Sequence, residues 1–386
     1  MLETISTFGA DLHHTVSFEP EFYMDVTGLI TSKGYPCESH WVTTEDGFIL
    51  RIFRIPYGVN NKSERKEGKP VVFLQHGLVE DASSFLNNLA NESLGFVLAD
   101  AGADVWLGNI RGNIYSQNHT RLKSHHEEFW NWSFEEMAKY DLPAMVKYVV
   151  KRTGSSKIFF VGHSQGSGTA FIQLARDPSL AQMIHRHFAL VPATRVNDTD
   201  GLGKTISDIG DIFYFFFYLV QRGPTTYSVP TLPPILCQWI GNSMCRDFLF
   251  SLTGGNKASF NLTRLPIYLS NFPQPTSMNT VLHWFQLIKS GQFQNFDEGS
   301  PEDNMKRYGK EAPPVYDLTT YTVPTSIYYG GHDNFIQETD IEWLCNQTHP
   351  DQVVYVPQFE HQDFVWGIDA VLHVYGHIID AIFKQQ

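Results

Sequence analysis

The chain has 386 residues, of which 42% are hydrophobic and 18% are charged, and this composition is typical of a folded protein with a substantial core. The formal net charge of −13 argues against nucleic acid or an anionic membrane surface as a partner. No apolar run approaches the roughly 20 residues that a bilayer-spanning helix needs, so the sequence predicts no transmembrane segment.

The first residues, MLETISTFGADLHH, lack the basic and apolar regions of a signal peptide, so none is visible. The N-x-[ST] sequons nevertheless exceed the two or three that we expect by chance, roughly estimated, which indicates passage through the secretory pathway. A truncated or alternative N-terminus would reconcile the two signals. The sequons lie at Asn61, Asn91, Asn118, Asn131, Asn197, Asn261 and Asn346.

The N-terminal half alternates between strand-like and helix-like segments after a leading segment, 1–34, that has few periodic features. A hairpin is predicted over 38–56. Short apolar strands and helical patterns then follow each other as far as Val191, and one of these helices contains Pro143. The predicted strands are 71–75, 103–107, 157–161 and 187–191, and the predicted helices are 95–101, 134–151 and 169–175. This alternation predicts an α/β fold, with a mostly parallel sheet and helices on both faces.

The alternation stops after Pro192. Residues 194–312 are rich in aromatic residues and proline, and we interpret them as a cap inserted into a core domain formed by 1–193 and 313–386. The aromatic run 212–220 is expected to form the core of the cap, with a lipid-contacting surface as the alternative. The β–α pattern returns with a strand at 325–329, a helix near 337–345 and a strand at 352–356.

The sequence Gly162-His163-Ser164-Gln165-Gly166 follows an apolar strand and precedes a helix. In this context G-x-S-x-G predicts a sharp turn that exposes the Ser164 hydroxyl as a nucleophile. The motif alone also fits a glycine-rich turn with an ordinary serine, so a base and an acid are required from elsewhere in the chain.

Two later strands end in the residues that a serine nucleophile needs. Asp333 follows the strand and double glycine at 325–331, and His361 lies after the next strand, in the order Ser164, Asp333, His361 that is expected of an α/β-hydrolase. Other residues compete for both roles, but strand-end placement favours Asp333 and His361. The competing bases are His332, His349, His373 and His377, and the competing acids are Asp340 and Asp351.

The oxyanion of acyl transfer needs two N–H donors, and we predict the backbone amides of Gln165 and Leu78. His76 is expected to support the turn that contains Leu78. Glu80 and Asp81 also suggest a glycosidase with paired carboxylates, but neighbouring positions in one loop are poor grounds for it.

Four cysteines are present, and no Cys/His spacing predicts a zinc site. Cys237 and Cys245 are close enough to close a short disulfide loop, with two buried free thiols as the alternative. We expect neither a metal nor a cofactor.

Long blocks of the sequence resemble the acid lipase family of α/β-hydrolases, the group that contains gastric and lysosomal acid lipases. The matching blocks are GYP at 34–36, TEDGFIL at 44–50, VVFLQHGL at 71–78, LADAGADVWLGNIRGN at 98–113, FWNWSFEEMAKYDLPA at 129–144, VGHSQG at 161–166, FNLTRLPIYLS at 260–270, KSGQFQNFD at 289–297, GGHD at 330–333 and HQDFVWG at 361–367. The family's nucleophile, acid, base and oxyanion donors fall on the residues chosen above by position.

The resemblance implies a glycosylated, lysosomal or secreted lipase that acts on triacylglycerols or cholesteryl esters at a lipid–water interface, at acidic pH. It also implies a mobile lid within a mainly helical cap, which we place around 222–252, a cap disulfide between Cys237 and Cys245, and glycosylation at Asn91 and Asn261. Glu80 departs from the family, which usually has a small, uncharged residue there.

Two other classes of function remain open from the sequence alone. One is a lipid carrier that keeps the fold without catalysis. The other is an acyltransferase or thioesterase that uses the same nucleophile, because the cap and not the motif selects the acceptor.

Overall fold

A computed structural model describes residues 19–60, 68–197, 237 and 241–384. Nine strands in this part of the chain form one mixed sheet in the order β1-β2-β4-β3-β6-β7-β8-β9, with β5 paired to β2. The strands are β1 (Glu38–Thr43), β2 (Phe48–Ile55), β3 (Val71–Gln75), β4 (Asp104–Leu107), β5 (Asn118–His119), β6 (Ile158–His163), β7 (Ile184–Leu190), β8 (Thr325–Gly330) and β9 (Gln352–Val356).

The strands from β4 to β9 along this order pair in parallel, whereas β1, β2 and β5 pair antiparallel. Every residue of β3, β6 and β8 is buried, which explains why these strands are continuous apolar runs in the sequence. The edge strand β1 instead alternates in exposure, as a sheet with one solvated face requires. The predicted α/β-hydrolase sheet is thus confirmed.

Helices cover the sheet and join its strands. They are α1 (Val26–Ser32), α2 (Leu94–Asp100), α3 (Phe134–Glu136), α4 (Leu142–Thr153), α5 (Gln165–Arg176), α6 (Pro178–Ala181), α7 (Asn242–Thr253), α8 (Leu265–Asn271), α9 (Met278–Ser290), α10 (Pro301–Tyr308), α11 (Glu338–Thr348), α12 (Asp363–Trp366) and α13 (Gly376–Phe383). None of the helices in the described residues is long and apolar enough to cross a bilayer.

The helix predicted over 134–151 is present, and the structure shows how it accommodates Pro143. A π-helical turn, Met137–Asp141, separates α3 from α4, and the proline lies in the first turn of α4. A proline there is tolerated because the wider turn already interrupts the regular hydrogen-bond ladder. At the other end of the element, Ser133 and Glu136 form a capping box at the start of α3.

Helix α1 was not expected from the weak periodicity of 1–34. Asp25 accepts a hydrogen bond from the amide of Gly28 at its N-terminus, and Val26, Leu29 and Ile30 are fully buried. Seven residues are too few to show a clear helical period, so this helix depends on tertiary packing.

The described residues between 194 and 312 form helices α7 to α10 and their connecting loops. Buried side chains such as Leu265, Trp284 and Leu287 belong to the same continuous apolar cluster as the central strands. This region therefore shares one apolar core with the sheet. The aromatic run 212–220 lies outside the described residues, as does the predicted lid apart from Cys237 and 241–252.

Candidate active site

Ser164 lies on the turn between β6 and α5 with φ +52° and ψ −120°, a conformation that is strained for a residue with a side chain. The turn requires glycine on both sides because other backbone approaches closely. A Cβ atom on Gly166 would lie 2.5 Å from the carbonyl oxygen of His76, and one on Gly162 would lie 2.7 Å from the amide nitrogen of Ser167. The predicted nucleophile turn therefore has the geometry that G-x-S-x-G implies.

The carboxyl ends of β6, β8 and β9 bring Ser164, Asp333 and His361 together. His361 Nε2 is 2.8 Å from the Ser164 Oγ, and His361 Nδ1 is 2.9 Å from Asp333 Oδ2. The other oxygen of Asp333 accepts hydrogen bonds from the amides of Phe335 and Ile336, at 2.7 and 3.0 Å. Because a carboxylate accepts at Nδ1, the neutral ring carries its proton there and leaves Nε2 free to accept the serine proton.

The competing residues are not part of this arrangement. His332, His349 and His377 are exposed, and the half-buried His373 packs its ring against Phe359. Asp351 is exposed and pairs with Arg186, whereas the buried Asp340 accepts a hydrogen bond from the amide of Asn197.

The two amides predicted to bind the oxyanion belong to residues that line the same cavity as Ser164. Gln165 is the first residue of α5, so its N–H has no partner within the helix. The turn that contains Leu78 lies against the nucleophile, since a Cβ atom on the preceding Gly77 would be only 3.1 Å from the Cβ of Ser164.

The buried side chain of His76 stabilises the turn that contains Leu78. Its Nδ1 donates to the carbonyl of Gly77 at 2.9 Å, and its Nε2 accepts from the amide of Ile110 at 3.3 Å. Complete burial lowers the pKa of His76 to about 4, so the ring is neutral above that pH. The contacts fit the expected supporting role.

Glu80 and Asp81 do not form a catalytic pair of carboxylates. Asp81 accepts a hydrogen bond from the amide of Ser83, and burial raises the pKa of its carboxyl to about 7. Glu80 is buried among other partners, including His163 at 3.1 Å. The two carboxylates are neighbours in one loop and each is held by its own buried partners, which does not fit the paired carboxylates of a glycosidase.

A cavity of about 210 Å³ opens beside the Ser164 hydroxyl. Its walls are largely apolar and include Val79, Val196, Phe272, Trp284, Phe285 and Ile288. The sequence did not reveal one contact at this wall, a hydrogen bond of 2.7 Å from Trp284 Nε1 to the side-chain oxygen of Gln165. The cavity is suited to an apolar chain attached to a carbonyl group at Ser164.

The remaining predicted sites are placed as follows. Cys237 and Cys245 form a disulfide, and Cys37 and Cys345 are free. Asn91 is exposed, and the half-buried Asn261 accepts a hydrogen bond from the amide of Thr263. Within the described residues no group of three or more His, Cys, Asp or Glu side chains is arranged to hold a metal ion.

Fold and site together define an α/β-hydrolase with a serine, histidine and aspartate at the carboxyl ends of its strands. A family model described as "alpha/beta hydrolase fold" matches residues 70–368, and one described as "Partial alpha/beta-hydrolase lipase region" matches residues 26–89. Solved structures with this fold include a bacterial membrane phospholipase A, with a TM-score of 0.53, and a thioesterase domain from the curacin biosynthetic pathway, with a TM-score of 0.52. Both are 14% identical in sequence, and the matches cover 92% and 90% of this chain and 89% and 99% of theirs. At 14% sequence identity these solved structures show only that the fold is shared.

Curated relatives are far more similar in sequence. The gastric triacylglycerol lipase of Bos taurus is 39% identical over 96% of this chain and 94% of its own length. The lysosomal acid lipase/cholesteryl ester hydrolase of Homo sapiens is 40% identical over 95% of this chain and 93% of its own. The lipase member K of Mus musculus is 40% identical over 94% of this chain and 92% of its own. The chain belongs to the acid lipase family, as its sequence blocks indicated.

Proposed function

We propose that this protein is a lipase that hydrolyses the carboxylic esters of neutral lipids, triacylglycerols or cholesteryl esters, through an acyl-enzyme on Ser164. The observation that carries the proposal is the continuous hydrogen-bonded series from Asp333 through His361 to Ser164 beside an apolar cavity. Full-length relatives named as gastric triacylglycerol lipase and lysosomal acid lipase/cholesteryl ester hydrolase support this choice of substrate.

In the first half of the reaction the Ser164 Oγ attacks the acyl carbonyl carbon, and its proton moves to His361 Nε2. Asp333 keeps the other ring nitrogen protonated and stabilises the imidazolium that forms. The amides of Leu78 and Gln165 donate to the oxyanion of the tetrahedral intermediate. The intermediate then collapses, and the alcohol leaves with the proton from His361.

In the second half, water attacks the acyl-enzyme and gives its proton to His361 Nε2. A second tetrahedral intermediate, stabilised by the same amides, releases the fatty acid, and the proton returns to the Ser164 Oγ. Because His361 must begin each half-reaction neutral, activity falls at pH values where the free enzyme keeps this ring protonated.

We place residues 194–312 as the cap over the site, with a lid around 222–252, and residues 1–193 and 313–386 as the core domain. Trp284 supports this arrangement, since it lies on cap helix α9 and donates to Gln165 beside the nucleophile. The cap would therefore select the lipid while the core performs the chemistry. We infer a lysosomal or secreted protein, glycosylated at exposed sequons such as Asn91, from the excess of sequons and the relatives' names.

Hydrolysis of a substrate panel tests the proposal. The wild-type protein and Ser164→Ala are assayed on emulsified triacylglycerol, cholesteryl ester and a short soluble ester, at acidic and neutral pH. Loss of the nucleophile removes the acyl-enzyme route, so we expect a fall of at least about 10⁴-fold in kcat on every ester that the wild type cleaves. The exposed Ser179 provides a matched control, and Ser179→Ala should retain full activity. Substantial hydrolysis by folded Ser164→Ala would refute the mechanism.

A carrier that keeps the fold without catalysis predicts a different result. Such a protein would bind lipid without turning over any ester and would gain nothing from an activated serine. Reaction of the wild type with a fluorophosphonate probe, with none in Ser164→Ala, favours the hydrolase over the carrier.

A further inference from the structure

The carboxylate of Glu80 is buried at the point where three catalytic segments meet. One oxygen accepts hydrogen bonds from the amide of Gly77, at 2.7 Å, and is 3.1 Å from His163 Nδ1. The other accepts from the side-chain amide of Gln362 at 3.1 Å. The residues next to these partners are Leu78, Ser164 and His361. A single side chain thus joins the oxyanion turn, the nucleophile turn and the loop that carries the base.

His163 extends this connection to the backbone of the base. Its Nδ1 faces the Glu80 carboxylate, and its Nε2 is 3.3 Å from the carbonyl oxygen of His361. A carboxylate and a carbonyl oxygen can only accept hydrogen bonds, so both ring nitrogens of His163 must carry a proton to make both contacts. With Glu80 ionised, the two contacts are both satisfied when His163 is an imidazolium.

The pKa directions agree with this charged pair. Burial tends to lower the pKa of His163, but the Glu80 carboxylate, together with the His361 carbonyl and Asp333, outweighs burial and raises the pKa of the ring above its ordinary value of 6.5. Burial tends to raise the pKa of Glu80, but His163 reverses the effect and lowers that pKa to about 2. Because the two charges neutralise each other, the pair adds little net charge beside the developing oxyanion.

We propose that Glu80 is a positioning residue for ester hydrolysis, which acts through protonated His163 to fix the oxyanion turn and the His361 loop relative to Ser164. This proposal rests on the proposed function. The remaining titratable groups around the pair are His76, Asp81, Asp333 and His361. His76 is neutral above pH 4, so it does not replace His163 as the cationic partner.

The pair should hold at acidic pH and weaken at alkaline pH. A histidine whose pKa is raised on folding keeps its partner below its ordinary pKa and loses it as pH rises through the raised value. Beside protonated His163 the pKa of Glu80 is about 2, so Glu80 is ionised across the acidic range in which the pair holds. When His163 loses a proton, one of its two contacts is lost, and the base loop is held less firmly.

The test compares Glu80→Gln with the wild type on a short soluble ester between pH 4 and pH 9. Rates are divided by the fraction of protein that a fluorophosphonate labels, so that unfolded protein does not count. Loss of the Glu80 contacts should displace the catalytic groups by a fraction of an ångström. We therefore expect kcat to fall roughly 10-fold to 100-fold, with KM changed by less than about twofold. The ratio of wild-type to variant kcat should be largest at acidic pH and should shrink as pH rises.

The matched control is Glu135→Gln, the same chemical change at a carboxylate that is 3.5 Å from Arg307 and lies on α3, outside the site. It should leave kcat and its pH profile unchanged. Equal kcat in Glu80→Gln and wild type, or a ratio that does not vary with pH, would overturn the proposal.

If Glu80→Gln yields too little labelled protein, the double variant Glu80→Gln/His163→Gln replaces it. Removing both charges avoids a buried unpaired ion and preserves the fold better than removing one. The proposal predicts that this variant has a reduced kcat. It also predicts that its kcat does not decrease at alkaline pH through deprotonation of residue 163, as that of the wild type does. A kcat profile equal to that of the wild type would overturn the proposal. A wild-type protein that neither reacts with the probe nor cleaves esters would instead refute the proposed function itself.

Discussion

At the scale of single residues, the site depends on the orientation of one imidazole ring. Asp333 holds His361 by Nδ1, and two backbone amides hold Asp333 in turn. The Asp333 side chain has no exposed surface, so protein groups and not bulk solvent orient it. The ring therefore presents Nε2 to Ser164 without having to reorganise during the reaction.

The substitution Asp333→Asn should show whether Asp333 serves to orient the His361 ring or to stabilise the fold. An amide can donate to Nδ1 and so favour the tautomer that carries its proton on Nε2, which cannot accept the serine proton. We expect a fall in kcat of roughly 10⁴-fold with a nearly unchanged melting temperature. Steady-state kinetics and thermal unfolding measure the two effects.

The control is Asp351→Asn, at the exposed acid that competed with Asp333 in the sequence. It should retain wild-type kcat. A comparable loss in both variants would mean that Asp333 has no special part in the reaction.

At this scale the sequence predicted which residues come together but not what holds them. Asp333 and His361 follow predicted strands directly, and parallel strands bring their carboxyl ends to one edge. The contacts of Glu80 with His163 and Gln362 join positions 83 and 282 residues apart, and no local pattern encodes them. The sequence drew attention to Glu80 as a departure from its family and as the neighbour of Asp81, and neither observation indicated these contacts.

At the scale of elements, the turn after β3 approaches the nucleophile turn closely, and this approach would bring together the two proposed oxyanion donors. Glycine at 166 permits this approach, since a Cβ atom there would lie 2.5 Å from the carbonyl oxygen of His76 and 2.6 Å from that of Gln75. Backbone atoms cannot move aside as the end of a flexible side chain can. Any added carbon must therefore push the two turns apart.

Gly166→Ala should consequently reduce both stability and activity. Overpacking against backbone predicts a loss of about 1–3 kcal/mol in the free energy of unfolding. The displaced oxyanion donors predict a fall in kcat of roughly 100-fold or more. Denaturant unfolding and ester hydrolysis test the two parts.

Gly376→Ala is the matched control, because the nearest atom to its added Cβ is 3.6 Å away. In helix α13 the alanine should raise stability by about 0.5–1 kcal/mol and leave kcat unchanged. Wild-type activity in Gly166→Ala would contradict the close approach of the two turns.

The elements that could be predicted from the sequence were those with a long and clear hydrophobic pattern. The strands β3, β6 and β8 are buried on both faces and therefore stand out as apolar runs. Helix α1 is short, and its three buried residues are recognisable only from the contacts that they make. The sequence likewise showed Pro143 only as an interruption and did not indicate the π-helical turn that precedes α4.

At the scale of the whole molecule, buried titratable groups couple stability to pH in opposite directions. Burial lowers the pKa of His76 to about 4 and that of His187 and His283 to about 3. These rings oppose folding as pH falls below their ordinary pKa of 6.5. Burial raises the pKa of Asp81 and Asp363 to about 7, so these carboxyls oppose folding as pH rises from their ordinary 3.8 towards 7.

Asp81→Asn isolates one of these contributions. Asparagine can still accept the hydrogen bond from the Ser83 amide, but it never ionises. The gain in stability over the wild type should therefore be small near pH 4, grow as pH rises and level off above about pH 7. Denaturant unfolding at a series of pH values measures it, and a difference that is constant with pH would contradict the buried carboxyl.

The region 194–312, which we propose as a cap, could be predicted from the sequence only in outline. Its aromatic composition and lack of β–α alternation predicted a separate region, and the described part is helical. Its contacts with the rest of the protein include Trp284 with Gln165 and His283 with Ser133, which join residues 119 and 150 apart. Such contacts are specified only by the folded arrangement.

The central claim is that Ser164 forms a covalent acyl-enzyme. Mass spectrometry of the protein after reaction with a fluorophosphonate probe tests it most directly. We expect one adduct per molecule, on the peptide that contains Ser164, with none in Ser164→Ala and slow labelling in Asp333→Asn. An adduct on another serine, or no adduct in folded protein that hydrolyses esters, would contradict it.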